Sequence, residues 1–230
     1  MRIAVLGGSK GCAREMVAQG LSKPDSTDEF VLLVRNPDHV EYDPEQKAKL
    51  TLIKGDAHDP TTVRQLVEGA DIVVTSIGSG VTATLKMTMP NVCEKGIKVL
   101  LDVIGSIDDP ARRPRRLVAV STTGAIDGGE VPFLFRPLYH LALAEAHKDK
   151  KALEDHITST APSLTPPLDY VIIRPSLLTN GPLTGQYRTD NKRLVGYTIS
   201  RTDIGHFLLE QCLDDEKVQK WVNQYVVVTY

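Results

Sequence analysis

Apolar residues recur along this chain in two rhythms that take turns: short unbroken runs, and stretches spaced three and four apart. The runs at 2–6, 30–34, 50–54, 71–77, 117–120, 170–173 and 225–230 predict strands. Their continuous apolar character is what strands covered on both faces of a parallel sheet require. Between them, Met16, Val17 and Leu21 predict a helix over 11–21, and Val92, Val99, Leu100, Val103 and Ile104 fall on one face of a helix over 91–104. Asp59 followed by Pro60 is an N-cap and first-turn pair that opens a helix over 60–68. Further helical spacing covers 141–157 and 204–213. Regular alternation of strand and helix points to parallel βαβ units. The expected fold is therefore α/β: a doubly wound, mostly parallel Rossmann sheet in a single domain over 1–230. Pro162, Pro166 and Pro167 mark a stiff loop rather than a linker, because the alternation continues past them.

Composition narrows the function classes. A formal charge of -2 offers no basic surface for nucleic acid. The basic run from Arg112 to Arg116 leads into the amino end of a strand, away from the ligand end of an open sheet, and reads as a solvated loop. Cys12, Cys93 and Cys212 have neither metal-ligand nor disulfide spacing, which favours a reducing compartment. No apolar run approaches bilayer length, and the first strand pattern begins at Arg2, too early for a leader peptide. Together these place the protein in the cytoplasm, without membrane, nucleic-acid or metal partners. A small-molecule substrate and a monomer or weak homodimer are expected.

The chemistry concentrates where the first strand ends in Gly7-Gly-Ser-Lys-Gly-Cys-Ala13 and a helix starts at once. A dinucleotide pyrophosphate needs backbone N–H groups at a helix N-terminus and a turn free of side chains, which Gly7 and Gly11 allow, with Ser9, Lys10 and Cys12 in the same turn. The alternative is a tight turn with no ligand. After the second strand, where NAD-specific sites carry an acid, this chain has Arg35, whose guanidinium suits a 2′-phosphate. Lys10 adds a second positive charge, so NADPH is the expected cofactor. Arg35 in a surface ion pair is the competing reading. Asp56 either faces the adenine amine or caps its own turn, and Ile77, Gly78 and Ser79 would lie along the cofactor.

From these residues onward the chain resembles the short-chain dehydrogenase/reductase superfamily, in particular its atypical NmrA-like branch, which holds the biliverdin IX-beta and flavin reductases. The most specific part is Gly181-Pro-Leu-Thr-Gly185 followed by Ile199-Ser-Arg-Thr-Asp-Ile-Gly-His-Phe207. The glycine turn departs from that branch and follows the spacing of classical dehydrogenases. The resemblance implies that Arg174, Pro175 and Ser176 flank the nicotinamide and that Ser121, Thr122 and Thr123 face the substrate. Hydroxyls there either orient a carbonyl or satisfy nearby backbone.

The Tyr-x-x-x-Lys pair of classical members is absent: Leu143 stands four residues after Tyr139, and Ala146 and His147 stand four before Lys150 and Lys151. Either lysine suits the ribose. His147 is a candidate proton donor, or a solvated helix residue. Thr122, Lys150 and His147 are thus the catalytic candidates. Ser200 and Asp203 have the form of a capping box, so the motif around Arg201 reads mainly as a helix start. The function expected is an NADPH-dependent reductase of a small, conjugated acceptor. An NADP-binding sensor, or an isomerase or cyclase on the same fold, are the alternatives.

Overall fold

The computed structural model describes residues 1–24, 26–79, 87–125, 129–133, 143–191 and 193–230. Among these residues eight strands form one sheet in the order β3-β2-β1-β4-β5-β6-β10-β8. The strands are β1 (Arg2–Leu6), β2 (Glu29–Val34), β3 (Thr51–Lys54), β4 (Ile72–Thr75), β5 (Arg116–Val120), β6 (Asp169–Pro175), β8 (Arg188–Asp190) and β10 (Gln224–Thr229). All neighbours run parallel except β8, which is antiparallel to β10. A separate parallel pair, β7 (Leu177–Thr179) and β9 (Thr198–Ser200), lies apart from it. The doubly wound reading holds, and the order reverses between β1 and β4, the topological switch point beyond whose carboxyl ends ligands bind in such sheets.

Alternating residues of each strand feed two cores. Ile3, Val5, Phe30 and Leu32 pack with Met16 and Val17 of α1 (Gly11–Leu21) and with Phe207 of α6 (Arg201–Phe207). Ala4, Leu6, Val31 and Leu33 face Leu66 of α3 (Pro60–Val67), Leu100 and Ile104 of α4 (Val92–Gly105) and Ile157 of α5 (Ala144–Thr160). Gly205 lets α6 lie directly on α1, since a Cβ there would come within 2.7 Å of Met16 N and 2.8 Å of Glu15 C.

Several boundaries move. The helix expected over 141–157 runs Ala144–Thr160; residues 141 and 142 lie outside the described residues, as does Tyr139. The helix expected from 204 starts earlier, at Arg201, because Ser200 Oγ accepts the N–H of Asp203, and it ends in a π turn, Leu208–Cys212. Short α2 (Pro44–Ala48) was not anticipated, although Asp43 and Pro44 repeat the capping pair seen at Asp59 and Pro60. The arginine run is a tether rather than a solvated loop. Arg116 is buried and Arg113 donates to the carbonyls of Gly105, Ile107 and Thr165, while Arg115 and Arg116 share Asp215. No helix among the described residues is long and apolar enough to cross a membrane.

Candidate functional site

At the carboxyl ends of β1 to β4 the fold opens a cleft of about 310 Å³. It brings together seven of the residues expected to bind cofactor: Gly7, Ser9, Lys10, Arg35, Asp56, Ile77 and Gly78. Gly7 has φ +83°, and a Cβ on it would lie 2.7 Å from the Ser76 carbonyl, so the turn can press against the end of β4 only with glycine here. Tyr42, buried, holds the other side by donating to Gly8 O at 2.6 Å. Gly11 has φ +72° and open space where a side chain would be. Lys10, the N-cap of α1, makes no side-chain capping bond, which leaves the first-turn N–H groups of α1 facing the turn.

Around this turn the charged groups divide. Arg35 pairs with no carboxylate among the described residues; its Nη1 donates to Met89 Sδ at 3.2 Å. Lys10 does form such a pair, with Glu41 at 3.3 Å, both ends well exposed, so its charge is partly spent. Asp56 accepts the N–H of His58, capping its own turn while lining the cleft beside His58. Cys12 packs in the core, and burial pushes its thiol up to about 12 against the opposing pull of Arg201 and Lys150. Only its backbone can serve a ligand.

The remaining candidates lie outside this cleft, near the ends of β5 and β6. Lys150 is the better placed of the two lysines: its Nζ donates to Val120 O at 2.7 Å and to Ile77 O at 2.9 Å, bridging the ends of β5 and β4. Lys151 is corrected to a surface residue, paired with Asp155 one helical turn on. Ser121 Oγ is buried with no partner among the described residues. Thr122 turns its hydroxyl back onto Thr123 O at 3.0 Å, which is the local backbone role. His147 is buried, not on a solvated helix face.

Arg174 is also corrected. Its Nε and Nη2 donate to both Glu154 oxygens at 2.9 and 2.7 Å, its Nη1 to Glu130 Oε1 at 3.1 Å, and its guanidinium stacks 3.8 Å over the Tyr225 ring. A fork committed to two buried carboxylates is a structural clamp, with burial pushing the Glu130 carboxyl up despite the Arg174 charge. Ser176 likewise spends its hydroxyl on Thr229 Oγ1 at 2.7 Å, and Pro175 O accepts the N–H of Thr123. These three residues order the β6 end without offering side-chain donors to a ligand.

A family profile described as NAD(P)H-binding matches residues 7–216, from the glycine turn through the capping-box helix. The chain belongs to this NAD(P)H-binding family. Among curated relatives, it is 30% identical to "Reductase pytE" of Aspergillus terreus over 204 residues, covering 79% of this chain and 78% of that one. It is 25% identical to "Oxidase pynE" of Aspergillus niger over 280 residues, covering 99% and 98%. Among solved structures, a short-chain dehydrogenase/reductase of Veillonella parvula superposes with TM-score 0.78 at 16% identity, covering 99% of this chain and 93% of that one. The Escherichia coli protein described as ChuY, an anaerobillin reductase, gives 0.74 at 19%, covering 100% and 97%. At these identities the structural likeness establishes the Rossmann fold alone.

For an NAD(P)H-binding chain, the residues at the cleft fit the dinucleotide. The uncapped start of α1 and the open face of Gly11 suit a phosphate, and the buried Ser121 hydroxyl, at the end of the neighbouring strand, has no hydrogen-bond partner among the described residues. Three contributors escaped the sequence reading. His58 and Met89 line the cleft, and Tyr42 fixes the turn. Only His58 had a readable cue, its place two residues beyond Asp56.

Proposed function

We propose that this protein is an NADPH-dependent reductase of a small, conjugated organic acceptor. The observation that carries the reading is Arg35: a guanidinium at the end of β2, lining the cleft beside the glycine turn, with no carboxylate pairing it among the described residues. Gly7, Ser9, Gly11 and the first turn of α1, Cys12 included through its backbone, would hold the pyrophosphate, and Arg35 the 2′-phosphate. Asp56 and His58 would flank the adenine, with Ile77 and Gly78 along the inner ribose. Lys150 spends two of its three protons on strand-end carbonyls, leaving the third for a ribose hydroxyl. When bound, the dinucleotide supplies the hydride. Relatives named as a reductase and an oxidase support redox chemistry.

The acceptor class follows from what the protein's own groups can do with a proton. Reduction of a simple ketone builds an alkoxide and calls for a positioned donor worth about a hundredfold to ten-thousandfold in rate. Tyr-x-x-x-Lys is absent, Thr122 faces its own backbone and His147 is buried. An acceptor that delocalises charge and takes its proton from water suits such a site.

Calorimetric titration tests the cofactor assignment: NADPH is expected to bind at least about tenfold tighter than NADH, and R35A to erase most of that difference. Equal affinities would remove it. Turnover tests the acceptor: quinones or flavins are expected to outrun unconjugated ketones, with H147A nearly silent. Rapid turnover of a plain ketone, abolished by H147A, would restore a histidine-donor mechanism. Tight NADPH binding with no turnover on any acceptor would make the protein a sensor.

A further inference from the structure

Met89 occupies an unusual position for a methionine. It precedes α4, is half-buried in the wall of the cleft, and has its backbone N–H fixed on Ser79 Oγ at 2.9 Å. Its sulfur accepts the hydrogen bond that Arg35 makes among the described residues, from Nη1 at 3.2 Å. A thioether is a weak acceptor, so this contact leaves the guanidinium available for a stronger one. The other methionines are placed differently. Met16 is fully buried in the core, Met1 touches Arg115 at the surface, and Met87, half-buried two residues before Met89, does not line the cleft. Met89 is thus the methionine whose chemical state bears on the group assigned to the 2′-phosphate.

We propose that Met89 is an oxidation site controlling cofactor affinity, with a hydroperoxide as the oxidant. The sulfur lone pair attacks the terminal peroxide oxygen and an S–O bond forms as the O–O bond breaks. The proton on the attacked oxygen passes to the departing one, so thioether becomes sulfoxide and the peroxide is reduced to water or an alcohol. The product carries a strong acceptor oxygen on a sulfur already in contact with Arg35. Three rotatable bonds let the side chain turn that oxygen onto the guanidinium. The 2′-phosphate must then displace a charge-assisted hydrogen bond that the thioether did not make. NADH lacks the 2′-phosphate and is indifferent. The inference rests on the Arg35 reading given above, and its effect is a loss of NADPH preference under peroxide.

The test titrates NADPH and NADH calorimetrically into wild type and M89L, each compared with its own untreated form. Treatment is hydrogen peroxide followed by dithiothreitol to reverse simple thiol oxidation, and peptide mass mapping locates the added oxygen. Wild type is expected to carry oxygen on Met89 and to lose NADPH affinity about five- to tenfold with NADH affinity unchanged. Methionine sulfoxide reductase restores it, M89L is insensitive, and M89Q, with a permanent amide oxygen, shifts the same way without peroxide. Four results overturn the inference while leaving the cofactor reading intact: Met89 unmodified while Met1 or Met87 is oxidised; Met89 modified with NADPH affinity unchanged; both cofactors weakened alike; or equal losses in wild type and M89L. If the untreated protein shows no NADPH preference, the cofactor reading fails and takes this inference with it.

Discussion

Asp203 offers the sharpest test of how the carboxyl-terminal motif works. Its side chain is fully buried in the first turn of α6. Oδ1 accepts the N–H groups of Thr184 at 2.9 Å and Gly185 at 2.8 Å, while Oδ2 accepts the hydroxyls of Thr184 and Tyr230, both at 2.7 Å. In D203N, the amide oxygen can keep both backbone donors and the amide nitrogen faces two hydroxyls that can rotate to accept. Only charge assistance is lost, at a cost of about 1–2 kcal/mol. D203A strands all four donors; the exposed loop and the hydroxyls partly rehydrate, so about 3–4 kcal/mol is expected rather than the full sum. Burial alone would raise the Asp203 carboxyl, but Tyr230, Thr184 and Gly185 together hold it below the ordinary 3.8. A depressed folded value means that the stabilisation is present above 3.8 and fades as pH falls through the folded value. Guanidinium chloride unfolding of the three proteins at about pH 7 and about pH 3 is the assay, and the gap between wild type and D203N should narrow at the lower pH. Equal losses in D203N and D203A, or a gap indifferent to pH, would refute this account.

The two adjacent lysines should part company: K150M, which unties the ends of β4 and β5, is expected to lower stability by about 1–3 kcal/mol and weaken NADPH binding, whereas K151M stays within about 0.5 kcal/mol by the same unfolding and titration assays. At the crossing of α1 and α6, G205A already forces a Cβ onto backbone atoms and is expected to cost about 1–3 kcal/mol, with G205V worse, read as a lower melting temperature. Cys12, Cys93 and Cys212 are free and buried, so thiol reagent should react slowly with native protein and find all three thiols after denaturation; fewer than three would contradict the cysteine assignment.

The strand and helix skeleton was legible because a parallel sheet buried on both faces leaves unbroken apolar runs, and because Asp59 with Pro60 announces a helix locally. What was missed depends on distant partners. The pairing of β7 with β9, and of β8 with β10, leaves little mark on three-residue strands. At the site, Gly7, Gly11 and Arg35 could be read because a turn geometry and a charge at a strand end are local properties. Arg174 could not: whether a strand-end guanidinium faces a ligand or a helix is decided by Glu154, twenty residues away, and by Glu130 on a different loop. Lys150 and Lys151 likewise differ by one helical step, about 100° of rotation, which only the packed helix resolves.

The order of strands also bears on how the protein assembles. β8 reaches the sheet only through β10, which comes after it in the chain and inserts between it and β6. Ser176 and Asp203 take their partners from Thr229 and Tyr230 in the same stretch. While a ribosome is still making the chain, β1 to β6 can pair in turn, but β8 and the Asp203 clamp on Thr184 and Gly185 remain incomplete. Synthesis of residues 224–230 is thus the event that closes this side of the molecule. The same dependence makes detachment of β10 a local opening, visible as early amide exchange in 188–190 before the β1 to β5 ladder gives way.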